Sequence, residues 1–119
     1  MLKRAPAGSL EQAVLNALWD DGGWLTPGDV HGRLDLERPV GYATVTTVLV
    51  RLWRKDRLER RKVGHAYAYH PRQTREQHVA QRMDEILGAA ADRTAALAHF
   101  VEALSEDDRE EIQRRLGGR

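Results

Sequence analysis

Between Gly41 and Tyr69 the chain reads GYATVTTVLVRLWRKDRLERRKVGHAYAY, and few folds accommodate that order of apolar, basic and turn-forming residues. From Tyr42 to Lys55, Val45, Val48, Leu49 and Leu52 recur at i, i+3, i+4 and i+7, which predicts a helix with these four on its core face. At about 100° per residue the opposite face carries Ala43, Thr47, Val50 and Arg54, with Thr46 on one flank and Thr44 and Arg51 on the other. Small hydroxylated side chains beside arginines suit a DNA major groove. Threonine can bond a base edge or set its methyl against thymine, and arginine can fork onto guanine or hold a phosphate. Taken alone, the same face would also suit an ordinary solvated helix.

The residues that follow favour the groove. Arg51 to Lys62 hold seven basic residues against two acids, a local net of +5. Leu58 to Val63 and Ala66 to His70 are short strand-like runs, and the intervening Gly64-His65 suits a two-residue turn needing positive φ at its first position. A helix followed by a basic hairpin is the reading half of a winged helix-turn-helix. Arg60, Arg61, Lys62 and His65 then stand where a wing meets the sugar-phosphate backbone, which supplies affinity without sequence preference.

Upstream, Ser9-Leu10-Glu11-Gln12 has the form of a capping box before Leu10, Val14, Ala17 and Leu18, predicting a helix from about Leu10 to Asp20. Gly22-Gly23 ends it, and Trp24-Leu25 makes a short extended segment. In Thr26-Pro27-Gly28-Asp29, threonine can cap, proline can take the first helical position and Asp29 can close a box, so a second helix is expected over Pro27 to Leu34. Thr26 is also a candidate DNA contact. Asp35 to Gly41 connects to the third helix.

Pro71 closes this unit, giving a DNA-binding domain over 1–71 and a helical region over 72–119. From Gln77 on, Val79, Met83, Ile86, Leu87, Ala90, Thr94, Leu97, Val101 and Leu104 recur mostly at steps of three and four, which predicts one long amphipathic helix of 26 residues or so. Ser105-Glu106-Asp107-Asp108 then caps a short last helix that presents Ile112 and Leu116 and stops at Gly117-Gly118. So small a tail cannot bury these stripes within itself. The expected cover is a second copy of the chain about a two-fold axis, with Val79, Met83, Ile86, Leu87, Ala90, Leu97, Val101 and Leu104 at the dimer contact, the alternative being that the long helix packs back on the winged domain.

Composition narrows the alternatives. At 119 residues the chain suits one domain and a modest appendage. It has no cysteine, so disulfides, thiolate metal sites and cysteine nucleophiles are excluded. No apolar run approaches the roughly 20 residues of a membrane span, and MLKRAPAG lacks the apolar stretch of a signal peptide, so a soluble, cytoplasmic protein is expected. The net charge of +1 conceals an asymmetry: residues 1–71 carry net +3 and residues 72–119 net −2, so the first part is the one suited to a polyanion. The five histidines show no paired ligand spacing and the carboxylates are dispersed, so neither a metal, a cofactor nor an enzyme is expected. Trp19, Trp24 and Trp53 read as core or core-edge aromatics. Two other functions stay open on these residues: a winged-helix protein-interaction module without DNA binding, and a ligand-sensing winged-helix regulator.

Nearly the whole chain resembles the penicillinase-repressor family of bacterial transcription regulators, the BlaI and MecI type. The resemblance is carried by LEQAVLNALWDDGGWLTPGDVHGRL, YATVTTVLVRLWRKDRL, ERRKVGHAYAYHP and HFVEALSEDDREEI, and TVTTVLVRL preceded by a tyrosine is its most specific part. It implies a mainly α fold with a small β wing and C-terminal dimerisation helices. It further implies a homodimeric repressor on a palindromic, inverted-repeat operator controlling β-lactam-response or related genes. By the same resemblance Ala43, Thr44, Thr46, Thr47 and Arg51 match the base- and backbone-contacting stretch, and Lys55 and the wing match phosphate contacts. Three departures stand out. The usual Lys-Gly after the third helix is Lys55-Asp56, placing an acid near DNA, and the usual wing-tip arginine is His65, a weaker contact at neutral pH than in acid. The founding members are inactivated by proteolysis at an Asn-Phe bond; here the equivalent protease-sensitive position reads His99-Phe100, which leaves induction by a membrane-bound sensor metalloprotease open. A copper-responsive branch carries paired C-terminal cysteines, which this chain lacks.

Overall fold

The computed structural model describes residues 9–117, in the order α1 (Ser9–Asp21), α2 (Pro27–Arg33), α3 (Tyr42–Arg54), β1 (Leu58–Val63), β2 (Ala66–Pro71), α4 (Arg75–Gly88), α5 (Arg93–Ala103) and α6 (Glu106–Gly117). The fold is mainly helical with one two-stranded antiparallel sheet, a winged helix-turn-helix followed by helices. The chain divides into two units, one reaching His78 and one beginning at Val79.

In the first unit the helical periodicity is realised as burial. Val14, Leu15 and Leu18 of α1, Val30 of α2, and Val45, Val48, Leu49 and Leu52 of α3 meet Leu25, Leu58 and Tyr69 in one core. Burying each of these aliphatic side chains is worth roughly 1.5–3 kcal/mol before chain entropy is subtracted. α2 starts as its sequence predicts: the Asp29 N–H donates to Thr26 Oγ1 (3.2 Å), and Asp29 Oδ2 accepts from the Thr26 N–H (3.1 Å). The backbone N–H of Thr26, and then its hydroxyl, hold the Asp29 carboxyl below its ordinary pKa. At the start of α1, by contrast, Ser9 lies within the helix and the Gln12 amide donates to Asn16 Oδ1 (3.2 Å).

The hairpin pairs Leu58 with Pro71 through to Val63 with Ala66, and Gly64 turns it at φ 62°. Trp24-Leu25 is extended as expected. Leu25 exchanges two backbone hydrogen bonds with Tyr69, at 3.0 and 2.8 Å, so it adds a one-residue rung to β2. α3 ends in a Schellman motif, with the Arg57 N–H on the Leu52 carbonyl (2.9 Å) and the Asp56 N–H on the Trp53 carbonyl (3.0 Å). The motif needs a left-handed residue, and Asp56 supplies it at φ 66°. The first turn of α4 packs with this unit. The Trp19 indole donates to the Gln73 carbonyl (2.9 Å), and the His78 ring, buried, lies 5.4 Å from that of Trp19.

In the second unit the single long helix expected from Gln77 is two helices. α4 stops at Gly88, and α5 starts only after Asp92, whose side chain accepts from the Ala95 N–H (3.0 Å). The apolar steps of three and four run through the break and mask it. Gly88 is a poor helix residue, and Asp92 gains more by capping than by continuing a helix. Ala90 therefore lies in the connection. Ser105 caps α6 as expected, accepting from the Asp108 N–H (3.1 Å), and Gly117 closes α6, while Gly118 lies outside the described residues. α5 and α6 bury no residue. Val79, Met83, Ile86, Leu97, Phe100, Val101, Ile112 and Leu116 are exposed, and Leu87, Ala90 and Leu104 are half-buried.

Candidate nucleic-acid interface

With one face of α3 committed to the core, the other faces water. Ala43, Thr44, Thr47, Arg51 and Arg54 are exposed, and Thr46 and Val50 are half-buried. Thr46, Thr47, Val50, Arg51, Arg54 and Lys55 line a shallow open recess along this face. Both threonine hydroxyls are turned back on the helix: Thr46 Oγ1 donates to the Tyr42 carbonyl (3.1 Å) and Thr47 Oγ1 to the Ala43 carbonyl (3.0 Å). What the threonines retain for a ligand is a methyl group and oxygen lone pairs. Ala43, Thr46, Thr47 and Val50 thus form a row of methyl groups at i, i+3, i+4 and i+7, bordered by arginines.

The hairpin divides its cations between two faces, as strand alternation requires. Arg60 and Lys62 lie on one: the Arg60 guanidinium carbon is 3.6 Å from the Trp53 ring centroid and 3.9 Å from that of Tyr67, and Lys62 Nζ is 5.9 Å from Tyr67. Arg61 lies on the other, 4.4 Å from the ring of Trp24, which stacks on His70 at 5.2 Å. His65 is exposed at the turn. Among the described residues Arg51, Arg54, Arg60 and Lys62 have no carboxylate within ion-pair distance, so their charge is unspent. Two other sequence candidates already have a partner within the chain. Lys55 Nζ pairs with Glu11 of α1 (3.2 Å), and the Thr26 side chain serves the α2 cap. The structure thus joins the last turn of α3 to one face of the wing through Trp53 and Arg60, places Arg61 on the other face, and makes Thr26 Oγ1 the acceptor of the α2 cap.

Sequence reasoning passed over Trp24, Trp53 and Tyr67 as neighbours of these cations. A signal existed for Tyr67: in a two-residue-turn hairpin it lies directly across from Lys62 and diagonal to Arg60. Nothing comparable pointed to Trp53, whose ring reaches Arg60 from a different element.

The profile of the penicillinase repressor family matches residues 7–117, almost the full length. The chain belongs to the penicillinase repressor family. Two curated relatives, each a "Transcriptional regulator BlaI" of Mycobacterium tuberculosis (strains CDC 1551 / Oshkosh and H37Rv), are 37% identical over 98% of this chain and 86% of theirs. Among solved structures, a MarR family protein from Bacillus stearothermophilus covers 96% of this chain and 73% of its own at 18% identity and a TM-score of 0.49. A structure of the DNA recognition and protein interaction domains of HOP2 covers 51% and 95% at 23% identity and a TM-score of 0.46. The named relatives are regulators, and the penicillinase repressor family is not one of enzymes. Asp56 takes the left-handed conformation that glycine adopts freely, so it makes the corner after α3 at a conformational cost. The His99-Phe100 position lies inside α5, with Phe100 46% exposed and His99 Nδ1 3.8 Å from Glu102. No helix among the described residues is long and apolar enough to cross a membrane.

Proposed function

We propose that the chain is a transcriptional repressor that binds duplex DNA as a homodimer on an inverted-repeat operator, with α3 in the major groove and the wing on the adjacent backbone. The observation that carries this reading is unspent charge on two elements that meet at Trp53 and Arg60: Arg51 and Arg54 of α3 and Arg60 and Lys62 of the wing have no carboxylate among the described residues within ion-pair distance. Ala43, Thr44, Thr46, Thr47 and Arg51 contact bases and nearby backbone, while Arg54, Lys62 and His65 lie along phosphates. Lys55, half exposed beside Glu11, keeps donors for a phosphate as well. The exposed apolar residues of α4 and α5 form the dimer contact. Membership of the family supports genes of the β-lactam response as targets. A membrane-bound sensor protease would act at His99-Phe100 only after local opening of α5.

The deciding experiment is duplex binding across salt concentrations, using fragments selected from the genome of the source organism. A dimer neutralising roughly 6 to 10 phosphates loses affinity linearly on a log–log plot, with a slope of about −0.9 per phosphate. No salt-dependent affinity for any duplex would leave the protein-interaction module as the reading.

A further inference from the structure

We infer that Trp53 and Tyr67 are positioning residues that hold Arg60 ready for a DNA phosphate, an inference that rests on the DNA-binding reading above. The juxtaposition is a guanidinium between two rings, 3.6 Å from the centroid of Trp53 in the last turn of α3 and 3.9 Å from that of Tyr67 in β2. Three features make it more than a surface contact. Cation–π attraction acts through the faces of the planar guanidinium and uses none of its five N–H donors. Among the described residues Arg60 has no hydrogen bond and no ion pair, so those donors remain free for an anion. The rings belong to different elements, so the arginine is fixed relative to both the helix and the strand instead of sweeping the long arc of an exposed side chain.

A flexible arginine surrenders its rotamer freedom when it docks on a phosphate; one already clamped has surrendered it on folding. The rings therefore raise affinity without adding a charge. Lys62, 5.9 Å from Tyr67 alone, has only a loose version of this arrangement, and Arg61 on the opposite face is held by Trp24 instead. Of the three wing cations Arg60 is thus the one held by rings from two different elements.

The test separates charge from positioning. Wild-type protein, Arg60→Ala, Tyr67→Leu and the double variant are titrated against a selected duplex and a scrambled duplex of equal length over a range of salt. Removing Arg60 should reduce the magnitude of the log–log slope by about 1 per half-site. Removing the ring should leave the slope unchanged but lower affinity roughly 3- to 10-fold per half-site, equally on both duplexes. In the Arg60→Ala background Tyr67→Leu should then cost almost nothing, and Tyr67→Phe, which keeps the ring, should bind like wild type. Tyr67 is 37% exposed, so its replacement spares the core, and thermal melting of each variant verifies folding. If Tyr67→Leu costs as much without Arg60 as with it, the ring acts on structure alone and the inference fails while DNA binding stands. If wild type shows no salt-dependent duplex affinity, it is the underlying reading that fails.

Discussion

Thr46 and Thr47 each give their hydroxyl proton to a carbonyl one turn back, which changes what the proposed recognition face could read. A threonine that bonds a base as a donor needs its proton free, whereas one that packs its methyl on thymine does not. The back-bonds therefore favour methyl contacts, and Val50 beside them has nothing else to offer. Thr46→Val, which keeps a methyl in place of the hydroxyl, should retain sequence preference, and Thr46→Ser, which keeps the hydroxyl and loses the methyl, should forfeit about 1 kcal/mol of discrimination between cognate and scrambled duplexes. Titrating both variants decides it, and the reverse ranking would make Thr46 a polar reader. At Asp56 the left-handed backbone sets a second expectation. Asp56→Gly should raise stability by about 1 kcal/mol and Asp56→Ala should lower it, because only glycine takes this φ without strain. The pair to Arg72, 3.4 Å with the Asp56 side chain 86% exposed, contributes too little to reverse that order in a thermal melt.

At the scale of elements, what the sequence announced depended on whether the signal was local. The α2 capping box, the Gly64 turn and the four buried residues of α3 were legible because each is set by spacing within one element. The break at Gly88 to Asp92 was not, because apolar steps of three and four continue through it and periodicity is blind to a cap. The site divides in the same way. Which side of α3 is open follows from its period, and the separation of Arg60 and Lys62 from Arg61 follows from strand alternation. The aromatic partners required the packing of α3 against the sheet, and the pairing of Lys55 with Glu11 joins residues 44 apart in sequence. The α2 cap carries its own pH signature. Since the Asp29 carboxyl is held below its unfolded value, its contribution is present at neutral pH and is lost as pH falls below about 4 toward the depressed folded value. Asp29→Asn keeps an acceptor but not the charge. The stability gap between wild type and this variant, read from denaturant midpoints, should therefore be open at pH 7 and close in acid; a gap that stays constant to pH 2 would remove the carboxylate from the cap's energetics.

For the whole molecule, the helices beyond Val79 pose the problem that the proposed dimer would solve. Ile86 is 69% exposed, Met83 49%, Val101 48% and Leu97 41%, and α5 and α6 bury nothing within the chain. Exposed apolar area of this kind costs solubility in a monomer and contributes association energy in a dimer. Because Ile86 and Leu97 are exposed, charging them disturbs no core, and the double variant Ile86→Glu, Leu97→Glu should fold with unchanged melting of the winged unit. Sedimentation should show a dimer for wild type at micromolar concentration and a monomer for the variant. The consequence for DNA is multiplicative. Two linked reading units make the second half-site contact intramolecular, an advantage of roughly 10²- to 10⁴-fold when both sites are within reach. The monomeric variant should therefore lose affinity by that order on the full inverted repeat and retain wild-type affinity on an isolated half-site, with the salt slope on the full repeat about halved. A wild-type protein that sediments as a monomer at tens of micromolar would overturn the dimer, and equal losses on the full and half sites would show that the helices affect the winged unit directly rather than by pairing two copies of it.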